Sequence, residues 1–338
     1  MISVFDDAQR AHDPQFFLSS GAAHPCPEKP ARIDALLSAV NRLGGPVVRP
    51  PDAGMGPIRA VHSDRYLTFL QTIHRRWSRI EGASAEVIAN IHPNSFADGY
   101  PLSAVGQAGF HMTDTSCPIS AQTWGAAYAS AQTAIHGADL VVSGERMVYA
   151  LCRPPGHHAF AERAGGFCYL NNSAIAAQFL TAAGRRVAVL DVDVHHGNGT
   201  QGIFYDRGDV LTVSIHAHPE RFYPFFWGYA TETGKGAGLG ANLNLPLPRG
   251  TGDAGFLLAL GQALEKITDW GADALVLALG LDAFEGDPFA GLTVSTSGFG
   301  QIGTMVARLG LPTVAVQEGG YLCPQLGDNL AAVLRAWG

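Results

Sequence analysis

The run Arg186-Val-Ala-Val-Leu190 followed by Asp191-Val-Asp-Val-His-His-Gly-Asn-Gly199 decides how the chain is read. The first five residues are short, β-branched and continuously apolar, the signature of a strand buried on both faces of a parallel sheet. At its C-terminal end stand two carboxylates and two imidazoles, then glycines that turn the chain sharply away. Side chains alternate along extended backbone, so Asp191, Asp193 and His195 are expected on one face. Charge this dense at the end of a buried strand is costly unless it binds something, and a metal ion is the expected occupant. The competing reading is a polar loop that caps the next helix.

Other apolar runs repeat the pattern at Ile2–Phe5, Val148–Cys152, Leu211–Ile215, Ala274–Leu281 and Thr313–Gln317. Between several of them lie Ala-rich stretches with helical spacing: Thr123–Ile135, Asn172–Ala183 and Gly255–Ile267. Strands alternating with helices predict an α/β fold whose mainly parallel central sheet carries helices on both faces. Ligands in such sheets bind beyond the strand C-termini. The unusual polar residues fall there: His157-His158, Asp191–His196, His216, Asp282 and Tyr321 each follow an apolar run.

Composition bounds the function. With 338 residues, 47% hydrophobic and 15% charged, the chain is long and apolar enough for one large core. A net charge of −7 without a basic stripe argues against nucleic acid as the main partner. Five scattered cysteines form no CxxC pair and fit reduced thiols in a cytoplasm. Met1-Ile-Ser-Val-Phe lacks the start of a signal peptide, and no apolar run is long enough to span a bilayer. A cytoplasmic enzyme with no membrane partner is therefore expected.

Asp193, His195 and Asp282 offer one nitrogen and two carboxylates, leaving a position open for water as a catalytic zinc or iron site requires. Asp282 alone also fits a helix cap. Arg153-Pro-Pro-Gly-His-His158 stiffens a turn that carries two adjacent imidazoles, suited to base and acid work or to a plain surface loop. In Glu318-Gly-Gly-Tyr321 the glycines free the chain to set a phenol over a pocket, where it can meet an oxyanion. Phe167 and Tyr223, with Gly166 and Gly319, are candidate substrate-lining residues. Residues 83–122 read as an irregular insertion that shapes the entrance or an oligomer contact. It carries Phe96, Asp98, Tyr100, Phe110, His111 and Met112.

These segments, in this order, resemble the histone deacetylase superfamily, and within it the bacterial acetylpolyamine amidohydrolases. Gly165-Gly-Phe-Cys-Tyr-Leu-Asn-Asn172, Pro27-Glu-Lys-Pro-Ala-Arg32 and Gly228–Gly238 extend the likeness over nearly the whole chain. The resemblance implies a single arginase-like domain over 1–338 and one zinc held by Asp193, His195 and Asp282. It implies His158 as general base, His157 as its electrostatic companion, and Tyr321 as oxyanion donor. Asp191 would orient His157 and help hold a structural potassium ion with Ser214 and the backbone of Asp193, His195 and Ile215. Asn198 would orient His158, where some relatives have Asp, leaving that imidazole a free base near neutral pH. Arg32 would line an acetate exit channel.

Arginases share the fold with two metals, but the place of their second Asp is Phe284 here, which favours a single metal. The acidic residues that select a cationic substrate tail align with Val105 and Ser116, leaving Asp114 or Asp98 as substitutes. The resemblance thus implies a zinc-dependent deacetylase of acetylated linear amines, a homodimer through the 83–122 loop. A broader amidase acting on acetyl-lysine or xenobiotic amides is the alternative, and a silent binder of acylated ligands is a third reading.

Overall fold

A computed structural model describes residues 1–94 and 99–337, so Phe96 and Asp98 lie outside the described residues. Among the described residues, ten strands form two sheets: β1 (Ile2–Val4), β2 (Phe16–Ser19), β3 (Ala22–Pro25), β4 (Val47–Val48), β5 (Met147–Ala150), β6 (Val187–Asp191), β7 (Val210–Ala217), β8 (Asn242–Leu247), β9 (Ala274–Leu279) and β10 (Thr313–Gln317). The main sheet has eight strands in the order β4-β1-β5-β10-β9-β6-β7-β8, every neighbouring pair parallel. The strands β2 and β3 make a separate antiparallel hairpin.

Two-residue alternation sorts the apolar strand residues between two cores. Val148, Val187, Val189, Val276, Val314 and Val316 face one core, under the helices Asp64–Trp77, Thr123–Val142 and Asn172–Ala182. Tyr149, Ala188, Leu190, Leu275, Leu277 and Ala315 face the other, under Ala31–Leu43, Asp253–Trp270, Thr296–Ala307 and Leu326–Leu334. Backbones approach closely where a side chain is missing. A Cβ on Gly137 would stand 2.9 Å from a Val314 methyl carbon.

The strand order positions the site. The neighbours β5, β10, β9, β6 and β7 all end on the same edge, and each predicted cluster follows one of them. The apolar runs named from sequence all appear as strands, with ends shifted by one to two residues; Ala274–Leu281 stops at Leu279.

One expectation fails in part. The region 83–122 is not irregular throughout: Ala104–His111 is a helix, capped by the Ser103 hydroxyl, which accepts from the Gly106 amide. Val87 and Ile119 pair across the base of the segment. Two glycines in eight residues hide this helix from propensity. Gly109 is needed there, since a Cβ would lie 2.1 Å from the Ile91 carbonyl oxygen. Tyr100, Phe110 and His111 pack edge to face, and Met112 joins the core.

Candidate active site

Strand β6 ends at Asp191, but its alternation continues through the next four residues. Val192 and Val194 remain in the core below, while Asp193 and His195 face the cavity side. A chain of local bonds fixes them: Asp191 Oδ1 accepts from the Asp193 amide (3.0 Å), and Asp193 Oδ1 from the His195 amide (2.9 Å). Asp282, three residues beyond β9, accepts at Oδ1 from the Val194 amide (2.9 Å). Gly319 donates its amide to Asp193 Oδ2 (2.8 Å). Close approach leaves no room for side chains here. A Cβ on Gly280 would lie 2.1 Å from Asp193 Oδ2, and one on Gly319 2.3 Å from Asp282 Oδ2.

Ligand atoms of Asp193, His195 and Asp282 all lie within 4.8 Å of one another, and all three residues are buried. His195 Nδ1 stands 3.1 Å from Asp193 Oδ1 and 3.2 Å from Asp282 Oδ2. Burial alone would lower the pKa of His195, but its bonds to the two carboxylates raise it to about 9. Burial, and then the charge of Asp193, push Asp282 upward. Such a cluster needs positive charge at its centre. Its donor set, one imidazole and two carboxylates with an open side, fits a divalent ion of the zinc type.

The tandem histidines follow β5. His157 donates from Nδ1 to Asp191 Oδ2 (2.9 Å), and His158 from Nδ1 to Asn198 Oδ1 (2.7 Å). The two rings, 4.0 Å apart, have opposite electrostatics. For His157 burial opposes the charge, yet Asp193 and Asp191 prevail and raise its pKa well above 6.5. For His158 burial lowers the pKa, and the facing charges of His157 and His195 lower it further. His158 is therefore a neutral imidazole with Nε2 unprotonated, beside a charged companion.

These groups border a cavity of about 990 Å³, at the upper end of small-molecule sites. His158, His195, Tyr321, Gly166, Phe167, Tyr223, Asn198 and Asp114 line it, as does Ser116. Tyr321 is buried with its ring 5.0 Å from the Arg32 guanidinium, and burial raises its pKa well above 10. Tyr223 stands edge-on to His158 at 4.9 Å. Gly166 lets the chain pass His158, whose Cδ2 would be 2.4 Å from an added Cβ.

Three expectations change. Gly319 lies behind the two carboxylates and, among the described residues, is not on the cavity wall. Val105 packs against the core and is absent from the described wall. Asp114 is more than a free rim charge: its Oδ2 accepts from the Tyr223 hydroxyl (2.6 Å) and the Gly166 amide (3.0 Å), and its Oδ1 from the Ser116 amide (2.7 Å).

Phe222, in the run Phe222-Tyr-Pro224 that the sequence places near this edge, stacks on His195 at 5.0 Å; sequence reasoning missed Phe289, edge-on to the same ring at 5.3 Å. It also missed Asp287, which accepts the Tyr321 amide at 2.9 Å and whose carboxyl burial pushes up to about 7. Their place in strand-end loops beside the recognised motifs was the available signal.

Beneath the site, Asp191, Ser214, His196 and Gly197 border a niche of about 10 Å³, room for one water-sized body. Ser214 Oγ lies 2.8 Å from His216 Nδ1, and Ile215 is buried. Among the described residues, no hydrogen bond ends on the carbonyl oxygens of Asp193 and His195.

Residues 26–337 match the family described as Histone deacetylase domain. The chain belongs to the histone deacetylase family. It is 46% identical to the acetylpolyamine amidohydrolase of Burkholderia pseudomallei, over 100% of this chain and 99% of that one. Acetylpolyamine amidohydrolase 1 of Pseudomonas aeruginosa is 44% identical with the same coverage. The crystal structure of the Burkholderia pseudomallei acetylpolyamine aminohydrolase superposes with a TM-score of 0.95, covering 100% of this chain and 98% of that one. The HDA15 HD domain, 26% identical, gives 0.83 over 99% and 90%. The fold is thus the arginase-like fold of histone deacetylases, and the family makes the chain a deacetylase of the amidohydrolase kind.

Gly280→Ala drives a methyl group into the Asp193 carboxylate. Isothermal titration should show zinc binding weakened at least about tenfold, or about 1.4 kcal/mol. Gly261→Ala, with nothing within 4 Å of its Cβ, should leave binding unchanged. Equal affinity in both variants would contradict the cluster as the metal site.

Proposed function

We propose that the chain, as a single domain over 1–338, hydrolyses N-acetylated linear amines, acetylpolyamines foremost, to acetate and free amine. The observation that carries this reading is that His158 and His195 line one aromatic cavity, with His157 against the first and Asp193 and Asp282 against the second. The names of its relatives support the substrate class.

Asp193, His195 and Asp282 would hold one zinc, which supplies Lewis-acid polarisation of the acyl oxygen and lowers the pKa of water. His158 Nε2 takes a proton from the attacking water as its oxygen adds to the acyl carbon. Asn198 holds the opposite nitrogen in the donor form, which fixes the tautomer. His157, kept cationic by Asp191, and the Tyr321 hydroxyl stabilise the negative charge that develops on the acyl oxygen. His158 then returns the proton to the amine nitrogen as the C–N bond breaks. Phe167 and Tyr223 wall the path of the alkyl chain. Asp191, Ser214, Ile215 and the free carbonyls would hold a structural potassium, an all-oxygen set that suits a hard cation.

Two further readings complete the proposal. Ile91 (63% exposed) and Leu102 (88% exposed) lie in the 83–122 region and support a homodimer formed through it. All five cysteines are free thiols, in keeping with a cytoplasmic setting. No described helix is long and apolar enough to cross a membrane.

Asp114 is the carboxylate on the cavity wall that has no cationic side chain within ion-pair distance among the described residues. With zinc-loaded protein, kcat/KM should favour acetylputrescine over a neutral acetamide of equal length by about 100-fold, or about 2.7 kcal/mol. Asp114→Asn should erase most of that ratio. Equal rates on the neutral amide in the parent protein would hand the site to the broad amidase reading.

The depressed pKa of His158 sets the pH response. Its base form persists as pH falls through 6.5, so kcat/KM should stay level there and drop only at more acid pH. Asn198→Asp, adding a negative charge at Nδ1, should favour the imidazolium and move this acid limb to higher pH. An acid limb that stays in place would remove His158 as the base. For the dimer, Leu102→Asp should sediment as a monomer; a parent protein that itself sediments as a monomer would refute the contact.

A further inference from the structure

The imidazoles of His157 and His158 are oriented by Asp191 and Asn198, but neither bond fixes the backbone that carries them. That backbone is gripped by Glu318. One carboxylate oxygen, Oε2, accepts from two successive amides, Gly156 (2.6 Å) and His157 (3.0 Å). The other, Oε1, accepts from the Ser173 hydroxyl (2.6 Å) at the start of the helix Asn172–Ala182. Glu318 is itself anchored: its amide donates to the Leu279 carbonyl at the end of β9 (3.0 Å), and its carbonyl accepts from Arg32 Nη2 (2.7 Å).

The opposite side of the turn is closed as well. A Cβ on Gly156 would stand 2.4 Å from the Asn172 amide nitrogen. The turn is thus wedged between a helix N-terminus and a carboxylate fixed to the central strands. Glu318 is wholly buried and forms no ion pair within 4.0 Å with any described Arg, Lys or His side chain. Burying such a charge is expensive and pushes the carboxyl up to about 7, while the nearby charge of His157 and three hydrogen bonds offset part of the cost.

We propose that Glu318 is a positioning residue for the hydrolysis: it sets where both imidazoles stand relative to the Asp193/His195/Asp282 cluster. It touches no reacting atom and acts through the Gly156–His157 backbone. This rests on the deacetylase reading, because only there do the two imidazoles need fixed positions. Misplacing a reacting group by about 1 Å costs on the order of 100-fold in rate, so the grip governs turnover rather than substrate affinity.

Shortening the side chain by one methylene, Glu318→Asp, withdraws the acceptor while keeping its charge. With zinc-loaded enzyme and acetylputrescine, kcat should fall about 30- to 100-fold while KM stays within about twofold. Glu318→Gln keeps an oxygen for both amides and can donate to Ser173, so it should recover kcat to within about fivefold of the parent. Thermal denaturation and bound zinc, measured on the same samples, separate this from a general loss of fold. A folded Glu318→Asp protein with unchanged kcat, or a folded Glu318→Gln protein as slow as a deletion of His158, would overturn the proposal. Should the Asp variant not fold, the Gln variant alone decides. A parent enzyme that leaves every acetamide intact would instead sink the reading of function on which the proposal stands.

Discussion

Two carboxylates forced together out of water govern this structure. Asp193 and Asp282 are both fully buried and share contact with one imidazole. Like charges at such range in a dry site are unstable unless a cation or a proton lies between them and hydrogen-bond donors serve the remaining lone pairs. The chain supplies the donors from its backbone, through the amides of Val194, His195 and Gly319. It can do so only because Gly280 and Gly319 bring main chain to within about a bond length of where a Cβ would collide. The glycines, the loop shapes and the strand-end positions are all consequences of keeping that pair intact.

Parallel topology makes the arrangement possible. Five adjacent strands deliver their C-terminal loops to one edge, so groups more than a hundred residues apart in sequence meet there. The Glu318 carboxylate and the Gly156 amide, 162 positions apart, bond at 2.6 Å. Loops anchored on rigid strands hold such distances better than a mobile surface would. Burial opposes charge on both imidazoles: at His157 the carboxylates of Asp193 and Asp191 overcome it, whereas at His158 the facing charges of His157 and His195 add to it.

Much of this was legible in the residues. Buried parallel strands announce themselves because both faces are apolar, and polar residues at their ends then stand out. Asp193, His195, Asp282, His157, His158 and Tyr321 were found in that way, and the structure brings them together. The edge strand β8 was not seen, because Asn242, Asn244 and Pro246 interrupt its pattern. The helix Ala104–His111 was hidden by its glycines, whose reason is a neighbour distant in sequence. Gly319 was assigned to the substrate on its flexibility, whereas its role follows from the carboxylates behind it, which no local pattern encodes. Phe289 was lost among seventeen phenylalanines, since packing partners alone separate a cavity wall from a core.

The bonds made by Asp114 couple two properties that are often treated as separate. One oxygen holds the Tyr223 hydroxyl and the Gly166 amide, and both of those residues press on the ring of His158. Retuning the tail preference at this carboxylate therefore also retunes the proton-transfer group. Selectivity and rate would drift together along any mutational path through this position. An altered preference would persist only with a compensating change in Tyr223 or the Gly165–Phe167 turn.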